Sequence, residues 1–172
     1  MLHDLQGEEN MSTIVGMLYG AVKENSQRLK SISEGMSQEE VDYKGPSSHY
    51  NSTAQLIQHI LYVDLNWIYR LEGQPLPQSL KDKYGPMIDD NNRLPMVKGT
   101  PLETLISNYE GVLNTLKDTC TQLTDADLDN IVTFGHENEK QATIRWGLWH
   151  MADHNRYHQA HINQLRKWYS EK

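Results

Sequence analysis

Apolar residues recur every three or four positions along four long stretches of the chain, the spacing of one buried helix face. The first stretch runs from about Ser12 to Ile32, with Ile14, Val15, Leu18, Ala21, Val22, Leu29 and Ile32 apolar. A short piece, SQEEVDY, follows, with Ser37 and Glu40 spaced as a capping box. The second helix is predicted to start at NSTAQ, where Ser52 and Gln55 repeat that pattern, and to end near Leu71, before Gly73 and Pro75. The third opens with GTPLE: Thr100 is the expected N-cap, Pro101 the first helical residue and Glu103 the completion of the box. It runs to about Leu123, and the fourth from about Thr143 to Tyr169. Strand-like alternation is confined to a stretch around Asp129 to Phe134.

Four amphipathic helices without a repeat or a composition break predict an all-α, four-helix bundle as one domain over residues 1–172. The connection from Gly73 to Gly99 is Pro/Gly-rich and longer than the roughly 2–8 residues usual between bundle helices. Such a crossover allows helices two and three to lie parallel. Thr124 to Ala142 forms a second long connection, with the polar run GHENEKQ inside it.

Composition narrows the function classes. Apolar residues make up 37% of the 172, and the net charge is −7, with basic residues scattered. Neither a phosphate-binding nucleic-acid surface nor a membrane span is expected. The opening MLHDLQGEENM lacks the basic-then-apolar order of a signal peptide. Cys120, the lone cysteine, fits a reducing cytoplasm and continues the series Leu102, Leu105, Tyr109, Leu113, Leu116, which makes it a core residue.

The chemistry concentrates in the fourth helix. Four of eight histidines, His150, His154, His158 and His161, fall within WHMADHNRYHQAHINQL. On a wheel of about 100° per residue with His154 at zero, Ile144, Gly147, Met151, Ile162, Leu165 and Tyr169 span about +20° to +80°. His158 falls inside that arc and His154 on its edge, whereas His150 and His161 lie further out. Two histidines at i and i+4 on one face can hold a divalent metal, and the rival reading is a pair of hydrogen-bonded core histidines. The best third ligand is His59, beside the apolar face of Leu56, Val63 and Trp67. His3 is near a terminus, and His49 and His136 fall in loops. HExxH, Glu-x-x-His pairs, CxxC, GxSxG and Walker A patterns are all absent.

A histidine in QLIQHILYVDLNWI, followed far downstream by HxxxH in HMADHNRYHQAHINQL, resembles the DinB/YfiT-like superfamily of damage-inducible proteins, regarded as metalloenzymes. The likeness covers nearly the whole chain. It implies a bundle that is often a homodimer, with one divalent ion, Zn2+ or Ni2+, held by three histidines and completed by water. Carried onto this chain, the ligands are His59, His154 and His158. The family often has Gln three residues after the last ligand, where this chain has His161. Similar families include S-transferases using bacillithiol or mycothiol and a mycothiol-dependent maleylpyruvate isomerase.

The leading expectation is therefore a cytoplasmic metal-dependent S-transferase that activates a small-molecule thiol, with a pocket at the bundle end. One alternative is a hydrolase using a metal-bound water, with Asp64 or His161 as the assisting group. Another is a non-catalytic, metal-binding dimeric stress protein. Asp64, on the face of Ile57, Ile60 and Leu71, needs a partner if buried; two readings stand, an orienting group for a ligand histidine, and a subunit contact or hydrogen bond to a loop. Trp67, Trp146, Trp149 and Trp168 read as core or interface rather than pocket lining, and Arg145, Arg156 and Arg166 as surface residues.

Overall fold

In chain order the computed structural model, which describes residues 2–172, runs α1 (Thr13–Ser33), α2 (Gln38–Val41), α3 (Thr53–Leu71), α4 (Gln78–Tyr84) and α5 (Leu102–Gln122). A 3-10 turn (Asp125–Asp129), β1 (Ile131–Phe134), a second 3-10 turn (His136–Asn138), β2 (Lys140–Thr143) and α6 (Ile144–Ser170) follow. The four long helices are those the apolar spacing predicts. Among the described residues no helix is long and apolar enough to cross a membrane.

The helix starts follow local chemistry. Ser52 Oγ accepts from the Gln55 amide at 3.2 Å, and Gln55 Oε1 accepts from the Ser52 amide at 3.0 Å, the full capping box at α3. Ser37 caps α2 alone, because the Glu40 carboxylate pairs with Arg166 at 3.6 Å. Thr143 closes β2 and caps α6 through the Trp146 amide at 3.1 Å. At α5 the expectation of Thr100 as cap is corrected. Pro101 is itself the N-cap, at ψ 142°, and no side chain caps the helix. The start of α1 is closed from afar: Asp125 Oδ1 accepts from the amides of Ile14 and Val15 at 2.9 and 3.0 Å.

Contacts between helices give their directions. Tyr109 meets Asp64 and Thr119 meets Glu72, so α3 and α5 run parallel, as the long crossover between them permits. Asn25 meets Gln159 and Ile32 meets Arg166, so α1 and α6 are also parallel. α3 and α6 are antiparallel, since His59 meets His154 while Trp67 lies against His150 further back along α6. The crossover carries α4, which its composition did not predict. The connection from α5 to α6 folds into an antiparallel hairpin pairing Ile131 with Thr143 and Phe134 with Lys140.

Between the helices lies an apolar core that includes Val22, Leu29, Ile57, Ile60, Ile68, Leu105, Leu116, Leu148, Met151 and Ile162. Cys120 is fully buried among them, and burial pushes its thiol up to about 12. α6 approaches α3 closely at Gly147, where a Cβ would stand 2.8 Å from the Trp67 ring.

One polar chain crosses this core. The Tyr109 hydroxyl donates to Asp64 Oδ2 at 2.9 Å and accepts from Asn155 Nδ2 at 2.7 Å. Gln159 Nε2 donates to Asn155 Oδ1 at 2.8 Å and to the Asn25 carbonyl at 2.7 Å. Asn25 Nδ2 in turn donates to the Ala152 carbonyl at 2.8 Å. All four long helices contribute. Burial pushes the Asp64 carboxyl up to about 8, against the opposing pull of the Tyr109 bond.

Two outcomes are expected. A carboxyl whose folded pKa exceeds its unfolded value stabilises the fold fully below the unfolded pKa, and that contribution is lost as pH rises through the folded one. For Asp64 the window runs from 3.8 to about 8. In metal-free protein, urea unfolding of Asp64→Asn should therefore lose less stability across that window than wild type does; parallel pH curves would refute the assignment. Asp125→Ala should lower stability by about 1 kcal/mol, the usual worth of an N-cap, in the same measurement.

Candidate metal centre

His59 on α3 and His154 and His158 on α6 bring three imidazoles together in the groove between the two helices. His154 Nε2 lies 3.2 Å from His59 Nε2 and 3.0 Å from His158 Nε2. The rings meet nearly edge to face, with centroids 4.5–5.0 Å apart. Burial, followed by the charges that neighbouring histidines would carry, pushes His154 down to about 3. His158 is pushed to about 3 by the same causes, and burial lowers His59. All three are therefore neutral at neutral pH, the form that ligates metal.

The spacing fits an ion better than a hydrogen-bond network. Histidine nitrogens about 2.0–2.1 Å from a shared ion stand about 2.9 Å apart at right angles and about 3.4 Å apart at the tetrahedral angle. The two observed separations fall between these. A single Nε2 offers either one hydrogen or one lone pair, so His154 cannot make full hydrogen bonds to both neighbours. These three residues are the group of histidine and carboxylate side chains placed to hold a metal among the described residues.

A family model described as the DinB superfamily matches residues 21–162 of this chain, which includes every one of these histidines. The chain belongs to the DinB superfamily. It is also 44% identical over 167 residues to an uncharacterized protein, YkkA, of Bacillus subtilis (strain 168), a match covering 96% of this chain and 94% of that one.

Within this DinB fold the site sits less deeply than the helical wheel suggested. The buried face of α6 also includes Asn155 and Gln159, polar residues that an apolar count assigns outward. Their inclusion shifts the face away from the histidines and leaves His154 and His158 half-buried at its edge. The groove lies along the bundle side rather than at its end. His150 stacks on Trp146, with centroids 4.7 Å apart and an 8° tilt, and His161 is exposed with its ring 5.5 Å from His158. Neither belongs to the ligand group.

Asp64 is placed elsewhere. It follows His59 by five residues, about 140° around α3, so it faces α5 and bonds Tyr109. The Nδ1 atoms of His154 and His158 are buried without a hydrogen-bond partner among the described residues. Packing, not a carboxylate, therefore sets these two rings. Of the tryptophans, Trp67 is core, Trp146 and Trp149 are exposed and so lie outside the core, and Trp168 lines a cleft, a correction to its reading as core or interface. Arg145 pairs with Asp129 at 2.8 Å, and Arg166 donates to the Ile32 and Glu34 carbonyls.

Two features beside the histidines escaped the sequence reading. Gln55 Nε2 donates to the Leu94 and Pro95 carbonyls at 3.1 and 3.0 Å, pinning the crossover next to His59. On the other flank, a cleft of about 310 Å³ is lined by His49, Tyr50, Leu56, His161, Gln164 and Trp168. Leu56 is one turn from His59, and His161 one turn from His158. Only the loop residue His49 and the HxxxH periphery hinted at it.

Metal analysis by mass spectrometry is expected to find about one transition ion per chain. Alanine at His59, His154 or His158 should each remove most of it, and alanine at His150 or His161 should not. Retention of metal in His154→Ala/His158→Ala would refute the site.

Proposed function

We propose that this protein is a metal-dependent S-transferase that passes a low-molecular-weight thiol to an electrophile. The observation that carries this reading is the convergence of three neutral Nε2 atoms beside a cleft of small-molecule size. Three ligands leave a coordination position for substrate, as in metal sites that do chemistry. A Zn2+ or Ni2+ ion, when bound, supplies the Lewis acidity that lowers the pKa of a coordinated thiol.

The chain's own residues do the rest. His59, His154 and His158 hold their nitrogens towards one point. Leu56 and Trp168 line the cleft with apolar surface that excludes water from the acceptor. As the sulfur bonds the electrophilic carbon, the leaving group departs with its electron pair. The thiol proton passes to solvent or to His161, which borders both His158 and the cleft.

His161 also favours a second reading, hydrolysis, in which its imidazole serves as general base. Asp64 cannot take that role, since it is buried against Tyr109.

Metal-loaded protein should consume small thiols against a panel of alkylating electrophiles, and His154→Ala/His158→Ala should reduce the rate to background. Ester hydrolysis without thiol consumption, abolished by His161→Ala, would replace transfer with hydrolysis. Neither activity in fully metal-loaded protein would leave a non-catalytic metal-binding protein.

A further inference from the structure

A second cleft, of about 660 Å³, opens between the end of α3, α4 and the hairpin. Its lining includes Arg70 and Lys81 together with Asn66, Gln74, Thr133 and Asn138. No carboxylate lines it, although the chain as a whole carries a charge of −7.

Arg70 is the unusual member. It is half-buried, and burial lowers its pKa, the sign of a charge held at some expense. Among the described residues neither it nor Lys81 has an ion pair. Arg28, Arg93 and Arg156 also lack one, but all three are exposed to water. The C-terminal end of α3 offsets part of the expense through its dipole. Yet among the described residues no carbonyl oxygen accepts a hydrogen bond from the guanidinium.

The guanidinium lies over the Trp67 ring, 5.4 Å from its centroid. Trp67 is itself fixed against Phe134, Trp146 and His150. The contact with Trp67 uses none of the guanidinium N–H groups, whose fork matches the two oxygens of a carboxylate or phosphate. Lys81, across the cleft on α4, adds an exposed second charge.

We propose that Arg70 and Lys81 form an anion-binding site for the carboxylate or phosphate group of a small acidic ligand. Asn66 and Arg70 share the face of α3 that carries His59, seven and eleven residues further along. Arg70 is thus about 16 Å from His59 along the helix axis. An elongated acid could reach both places; that link rests on the proposed function, whereas the anion site does not.

The test uses the full-length, metal-free protein, so that its result is independent of the histidines. Inorganic phosphate and succinate are titrated in turn while the side-chain amide resonances of Asn66 and Gln74, present in every variant, are followed by NMR, together with the Arg70 Nε–H in wild type. A saturable shift with either probe is expected, and which probe binds more tightly tells phosphate from carboxylate. Arg70→Gln should weaken binding by about tenfold or more, as loss of a charge-assisted pair does. Arg70→Lys should recover only part, because the fork is lost. Lys81→Glu, on an exposed position that leaves the Trp67 packing alone, should also weaken binding severalfold. Absence of a saturable shift with both probes, or equal affinity in wild type and Lys81→Glu, would overturn the proposal.

Discussion

The buried hydrogen-bond chain from Asp64 through Tyr109, Asn155 and Gln159 to Asn25 is the constraint on which the bundle's geometry turns. Apolar packing brings four helices together but tolerates small slides and rotations. Hydrogen bonds in a dry core do not, because a slipped partner leaves a buried polar group unsatisfied. Asn155 and Gln159 each follow a ligand histidine by one residue on α6. The bonds that fix the rotation of α6 therefore also fix where His154 and His158 face. A slide of one residue would shift those rings by about 1.5 Å, enough to spoil a shared coordination point.

The same helix thus divides labour between adjacent positions. The polar residues that face the interior are tied by directional bonds, and the imidazoles at the edge turn their Nε2 atoms towards one another. Burial in the groove makes a proton unwelcome on all three imidazoles, and the neighbouring histidines add to this at His154 and His158. That is a form of preorganisation for a metal: the three histidines are already neutral and already aimed at one another.

Much of this was legible in the order of residues. Helices with a strong 3.6-residue period declared themselves, as did the box at Ser52 and Gln55 and the i, i+4 pair His154 and His158. His59 was found because it borders an apolar stripe. What stayed hidden depends on partners far away in the chain. The cap on α1 comes from Asp125, over a hundred residues distant. Asn155 and Gln159 look like solvent-facing residues until Tyr109 and Asn25 are placed beside them. Asp64 was rightly singled out as a carboxylate needing company, but the rotation of α3 gave that company to Tyr109 rather than to a histidine. Pro101 shows the limit of local rules, since one residue's difference in helix start turns a first helical position into a cap.

The parallel pairing of α1 with α6 bears on how such a chain emerges from a ribosome. Chains fold as they are made, and the earlier parts wait for their partners. The earliest long helix has its principal neighbour in the latest one, and even its first turn is closed only by Asp125. Until α6 appears, α1 exposes Val15, Val22 and Leu29 with nothing to cover them fully. Between the emergence of α5 and that of α6 the nascent bundle is thus an open three-helix sheaf, and α6 then closes the core and completes the histidine cluster in one step.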